Sequence, residues 1–127
     1  MLALGKVLII DDDADIRSFL SILFKGWSFE VATAENGMDG IMLAIDLEPT
    51  LILLDLNMRG MTGFETARKI RAESKIASTP ILAVTGLGKA EDRDEAHLAG
   101  CDAVVSKPIE APVLYQAMSR LIGQMHQ

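Results

Sequence analysis

Four apolar runs in this 127-residue chain end in residues that can do chemistry. Val7 to Ile10 runs into Asp11, Asp12 and Asp13; Leu51 to Leu54 runs into Asp55, with Asn57 and Arg59 just beyond. Ile81 to Val84 runs into Thr85, and Ala103 to Val105 into Ser106, Lys107 and Pro108. Carboxylates brought together repel one another, and such a cluster persists with a bound cation or a raised pKa. Mg²⁺ is the natural cation, since it prefers an octahedral oxygen shell drawn from a couple of carboxylates, waters and a phosphate oxygen. Asp12 and Asp55 are expected to bind it directly and Asp11 through water, with the main-chain carbonyl of Asn57 as a further ligand. Asp55 then reads as a nucleophile. A carboxylate that attacks phosphorus forms an acyl phosphate, and the charge developing on the transferred oxygens must be met by fixed positive groups. The cation meets part of it, Lys107 supplies an ammonium, and the Thr85 hydroxyl can donate to a phosphoryl oxygen.

These side chains converge only if the runs are strands of one sheet. Each run has strand length, and several are apolar throughout, as strands buried on both faces must be. A mixed run from Phe29 to Ala34 makes a fifth. Helical spacing fills the intervals: Ile16, Phe19, Leu20 and Leu23, then Ile41, Leu43, Ala44 and Leu47, then Phe64, Ala67 and Ile70. A weaker segment from about Lys89 to Ala99 follows, and Leu114, Ala117, Met118, Leu121 and Ile122 mark the last. Five strands alternating with five helices predict one α/β domain with a parallel sheet, because parallel neighbours need crossovers of this length. In a doubly wound sheet the functional crevice lies beyond the carboxyl ends of the strands, where the reactive residues fall.

Composition narrows the function. A formal net charge of -6 argues against direct nucleic-acid binding, which draws on clustered Lys and Arg. Cys101 is the only cysteine, so no intrachain disulfide forms, and a buried, inert thiol in a reducing compartment is expected. No apolar run approaches the ~20 residues of a spanning helix, and no cleavable signal pattern precedes Asp11. A soluble, cytoplasmic protein without membrane insertion is expected.

The motifs "VLIIDDD" (7 to 13), "LILLDLNMRGMTG" (51 to 63), "ILAVTG" (81 to 86) and "AGCDAVVSKPI" (99 to 109), in this order and spacing, resemble a response-regulator receiver domain of the stand-alone chemotaxis or cell-cycle type. The resemblance covers nearly the whole chain. It implies a flavodoxin-like, five-stranded parallel sheet of order 2-1-3-4-5 with five helices. It also implies Mg²⁺-dependent phosphorylation of Asp55 by a sensor histidine kinase or a histidine phosphotransfer protein. Residues 1–127 are expected to form a single receiver domain with no output domain, a module of a two-component phosphorelay rather than an enzyme. Its signal would pass to a protein target through the face made by the fourth helix, fifth strand and fifth helix. Pro108 matches the proline after the family lysine and implies a cis Lys107–Pro108 peptide.

Departures from the family pattern carry expectations of their own. Members commonly have proline where this chain has Arg59, whose guanidinium is expected in solvent. Many have Tyr or Phe at Val104, an aromatic that changes rotamer as the threonine moves; valine cannot, so the backbone of residues 85 to 92 is expected to carry the change. Leu87 is apolar where some relatives carry a carboxylate or amide. Asp13 reads as a helix cap, "EDRDE" as the solvated face of the fourth helix, and "GLG" at 86 to 88 as a turn. His97 and His126 lack metal-ligand spacing. The seven methionines read as flexible core filler, and Trp27 is expected between the first helix and second strand, away from the carboxylates. Other functions fit less well. A phosphatase of haloacid-dehalogenase type needs a second aspartate two residues after its nucleophile, where this chain has Asn57. An FMN carrier needs a hydroxyl-rich loop after the first strand. A degenerate docking scaffold would have no use for Asp55, Thr85 and Lys107 together.

Overall fold

Side-chain alternation along the strands decides which helices cover which face. In the computed structural model, which describes residues 4–86 and 90–125, the chain runs β1 (Gly5–Ile10), α1 (Ala14–Gly26), β2 (Phe29–Ala34), α2 (Gly37–Leu47), β3 (Leu51–Asp55), α3 (Gly63–Ala72), β4 (Ile81–Thr85), α4 (Ala90–Ala99), β5 (Ala103–Ser106) and α5 (Ala111–Met125). Leu87 and His126 lie outside the described residues, as does most of the 86 to 88 turn. All strand pairs are parallel, in the expected order β2-β1-β3-β4-β5.

Val7 and Ile9 of β1, Leu51 and Leu53 of β3, and Leu82 and Val84 of β4 point to one face, where they meet Leu20 and Phe24 of α1 and Leu114, Met118 and Leu121 of α5. The intervening Leu8, Ile10, Ile52, Leu54, Ile81 and Ala83 point to the other, against Ile41 and Ala44 of α2, Ala67 and Ile70 of α3, and Ala96 and Ala99 of α4. Two cores on one sheet explain why the central strands are apolar without alternation from Val7 to Ile10, Leu51 to Leu54 and Ile81 to Val84.

The inner face of α1 differs from the sequence reading at one residue. Phe19 is exposed, and Phe24 is fully buried in its stead. Leu20 and Phe24 stand four residues apart and share the sheet-facing stripe, whereas Phe19 lies more than a quarter of a turn off it. Phe24 meets Trp27 and Phe29 edge-on, at 5.0 and 5.6 Å between ring centres, and Trp27 meets Tyr115 of α5 at 5.1 Å. Trp27 therefore follows α1 and precedes β2, as expected, but its ring bridges α1 to α5 at the amino end of the sheet. Met58 and Met118 are core residues, while Met38 and Met42 of α2 are exposed, so only part of the methionine content fills the interior.

The first three helices start on side-chain caps, the first of them Asp13 as the sequence suggests. Asp13 accepts from the main-chain N–H groups of Asp15 and Ile16 at 2.8 and 3.2 Å. Asn36 caps α2, and Thr62 caps α3 by accepting from Glu65 N–H. At the far end of the sheet, Arg71 donates to the carbonyls of Gly100, Ala77 and Thr79 and pairs with Asp102 at 2.8 Å. One guanidinium thereby ties the end of α3 to the segments entering β4 and β5. Gly100 has φ +113° and turns the chain where a Cβ would run into Arg71.

Candidate functional site

Asp55 ends a strand whose every residue is buried, and only 3% of it is exposed. Its position is held from both sides: Leu56 N–H extends the ladder to the Val84 carbonyl at 2.9 Å, and Asn57 N–H donates to Asp55 Oδ1 at 3.0 Å. From β5 the Lys107 ammonium reaches the same Oδ1 at 3.4 Å. The Lys107 N–H donates to the Thr85 carbonyl, and Thr85 stands in register with Ser106, so the lysine and threonine leave neighbouring strands side by side.

Asp11 and Asp12 come from the end of β1. One carboxylate oxygen from each of Asp11, Asp12 and Asp55 lies within 4.8 Å of the others. Asp11 N–H continues the β1–β2 ladder to the Ala34 carbonyl, and Asp11 Oδ1 accepts from Asp13 N–H at 2.9 Å. Arg17 of α1 donates to the Asp11 carbonyl at 2.8 Å, fixing the strand end from below. This donor set is hard, anionic and all oxygen, which suits a divalent cation of the Mg²⁺ class. Lys107 and Arg59 are the cations paired with the cluster among the described residues, so three carboxylates still exceed the positive charge set against them.

Burial pushes the Asp11 carboxyl up to about 6, with the charges of Asp55 and Asp12 adding to the rise and the Asp13 N–H and Lys107 opposing it. Because Asp11 holds its proton more tightly in the folded chain, its contribution to stability is complete below the ordinary 3.8 and is lost as pH rises through 6. Asp11→Asn, which keeps an acceptor for Asp13 N–H, should therefore gain roughly 2–3 kcal/mol over wild type at pH 7 and nothing at pH 3.5. Urea unfolding across that range, with chelator present, measures the difference. Asp12 behaves oppositely: the Arg59 main-chain N–H, helped by its guanidinium, holds this carboxyl below the ordinary carboxylate range.

The side chain of Asn57 has a place that sequence reading did not find. Its Oδ1 accepts from the Thr85 hydroxyl at 3.2 Å and from Gly86 N–H at 3.1 Å, clamping the ends of β3 and β4 together. Thr85 is thus linked to the carboxylates through Asn57, two residues from Asp55. Arg59 is exposed, as expected, yet its Nε stands 3.4 Å from Asp12 Oδ2. The "EDRDE" run is exposed at Glu91, Arg93, Asp94 and Glu95. Asp92 is half buried, with Oδ2 shielded and unpartnered among the described residues, and Arg93 reaches back to Ser106 Oγ at 2.9 Å and the Val104 carbonyl at 3.3 Å. Cys101 is buried, and burial pushes its thiol up to about 11, so it is no nucleophile. His97 is exposed, with Nδ1 3.1 Å from the Cys101 carbonyl. The Lys107–Pro108 peptide is cis.

Residues 7–119 match the family model of the response regulator receiver domain. The chain belongs to that family. This receiver is 36% identical over 122 residues to the transcriptional regulatory protein ResD of Bacillus subtilis, covering 96% of the chain and 50% of ResD. It spans about half the length of curated relatives of this kind. Among solved structures, the chemotaxis protein CheY4 of Vibrio cholerae superposes with a TM-score of 0.88 at 31% identity, over 95% of this chain and 99% of CheY4. The receiver domain of the sensor histidine kinase PA1611 of Pseudomonas aeruginosa, described with a magnesium ion in its active-site cleft, shares the fold at a TM-score of 0.86 and 23% identity, over 94% and 98% of the two chains. The receiver is accordingly a module of two-component signalling with an aspartate cluster able to hold a metal ion. No helix among its described residues is long and apolar enough to cross a membrane.

Proposed function

We propose that this receiver accepts a phosphoryl group on Asp55 from the phosphohistidine of a sensor kinase or phosphotransfer protein. The observation that carries this reading is the placement of Asp55: a 3%-exposed carboxylate at a rigid strand end, with Lys107 Nζ at 3.4 Å and the oxygens of Asp11 and Asp12 beside it. A carboxylate oxygen of Asp55 forms the new bond to phosphorus as the phosphorus–nitrogen bond of the donor breaks, and the electron pair leaves on the imidazole nitrogen. Asp12, Asp55 and the Asn57 carbonyl would hold Mg²⁺ directly, with Asp11 through water, and the bound ion supplies positive charge to the phosphoryl oxygens. Lys107 offers its ammonium to those oxygens, exchanging its contact with Asp55 Oδ1 for one with the transferred group. Thr85 donates its hydroxyl, released from Asn57 Oδ1.

Output follows from that exchange. Thr85 precedes Gly86 and stands in register with Ser106, so its movement pulls on the chain entering α4 and on the end of β5. Packed elements respond by shifting between discrete arrangements, which alters the surface of α4, β5 and α5 that a protein target would read. A cavity of about 450 Å³ lies on that side, lined in part by Arg93, Val104, Ile109 and Val113. With half-buried Val104 in place of an aromatic ring, the backbone between Thr85 and Asp92 carries the change. The reading places the protein in the cytoplasm, beside its phosphodonor.

The test is an NMR titration with beryllofluoride and Mg²⁺, which mimics the acyl phosphate. Amide shifts are expected at 85–86, 90–93 and 103–113. Shifts restricted to the surroundings of Asp11, Asp12 and Asp55 would rule out this output route.

A further inference from the structure

Asp12 already has a cationic partner in its own chain. Arg59 N–H donates to Asp12 Oδ2 at 3.0 Å, and Arg59 Nε approaches the same oxygen at 3.4 Å. The two residues are 47 positions apart, and the contact folds the loop after Asp55 over the end of β1. A carboxylate oxygen has about two lone-pair sites, so these two donors fill Oδ2. The Arg59 side chain is 92% exposed against 23% for Asp12, which leaves the guanidinium free to swing out into water.

We propose that Arg59 is a metal-affinity determinant: it competes with the divalent cation for Asp12, so that the cation binds this receiver by displacing Arg59. The inference rests on the reading of Asp11, Asp12 and Asp55 as a cation site, and it assigns a role to a residue that reading does not use. A cation that takes Oδ2 must displace at least one Arg59 donor. A cation that takes Oδ1 still meets the guanidinium's positive charge across the carboxylate. Both routes weaken cation binding relative to a chain without Arg59, and they differ in which donor matters. Glutamine at this position keeps the N–H and removes the charge; proline removes both. Arg59 also ceases to neutralise Asp12 once displaced, so its guanidinium is set free at the mouth of the crevice at the moment the cation enters.

Calorimetric titration with Mg²⁺ alone, in low salt at pH 7, separates the possibilities. Arg59→Gln should bind Mg²⁺ about two- to five-fold more tightly than wild type, the range expected for removing an exposed ion pair, and the gain should shrink as salt screens it. Arg59→Pro should bind at least as tightly as Arg59→Gln and keep part of its gain in high salt, and Arg59→Lys should stay within about two-fold of wild type. In wild type, the Arg59 amide and Nε–H resonances should move with the same Mg²⁺ dependence as Asp12. The exposed position of Arg59 makes Arg59→Gln neutral for folding, which a thermal melt verifies, so the test stands even if Arg59→Pro is perturbed. Wild-type affinity in Arg59→Gln and Arg59→Pro overturns the proposal, and so does weaker binding, which would make Arg59 an organiser of the site. If wild type itself shows no saturable Mg²⁺ binding that Asp55→Asn weakens, the site reading falls first and the proposal with it. Saturable binding that is indifferent to Arg59 sinks the proposal alone.

Discussion

Asp55→Asn should take up no phosphoryl group from acetyl phosphate and Mg²⁺ under conditions in which wild type is expected to gain one, with labelling reduced at least ~100-fold as expected for removal of a nucleophile. Intact mass after a timed incubation reads the result directly. The substitution is close to isosteric. Asparagine Oδ1 still accepts from Asn57 N–H and Lys107, and one of three crowded charges disappears, so the variant should melt at or above the wild-type temperature. Loss of labelling in a chain that folds this well isolates the chemistry from the scaffold. Labelling that persists at the wild-type level would move the acceptor to Asp11 or Asp12, which share the crevice, and would leave Asp55 as a cation ligand only.

Gly63→Ala is expected to damage fold and site together. Gly63 is the first residue of α3, its N–H donates to the Leu56 carbonyl at 3.2 Å, and a Cβ there would run into the carbonyl of Asp55 and the Cα of Leu56. Both obstacles are main chain at the end of a buried strand, so neither can rotate aside as a side-chain tip would. A loss of about 2–3 kcal/mol follows from overpacking of this kind, or a fall in Tm of roughly 6–12 °C for a domain of this size. Because the displaced atoms are the backbone of Asp55 and of Leu56 beside it, Mg²⁺ affinity should fall as well. Gly26→Ala is the matched comparison: it ends α1 with open space around it, and replacing glycine there should change stability by no more than about 1 kcal/mol in either direction. Equal melting temperatures for the two variants would show that the loop from Leu56 to Gly63 yields without cost.

The order of the strands' ends and the residue types standing there could be read from the chain alone. Apolar runs of strand length, alternating with helical spacing, require only local information, and β3 and β4 are buried at every position because helices cover both faces of the sheet. Once the runs are parallel strands, Asp11, Asp12, Asp55, Thr85 and Lys107 must emerge at the same edge, and the cluster follows from connectivity. Asp13 as a cap and Cys101 as a buried thiol are equally local consequences. Phe19 against Phe24 is where local reading reached its limit, since both are apolar and the angle between α1 and the sheet decides which one is covered.

The partners of the long polar side chains were settled by tertiary structure. Arg59 meets Asp12 across 47 positions, Arg71 gathers carbonyls from two connections, Arg93 turns back to Ser106, and the Asn57 amide spans β3 to β4. None of these residues repeats with a helical or strand period, and each has several rotatable bonds and many possible partners within reach. Which partner it takes depends on how the loops beyond the strands fold over one another, and hydrogen-bonding geometry there is a property of the assembled crevice.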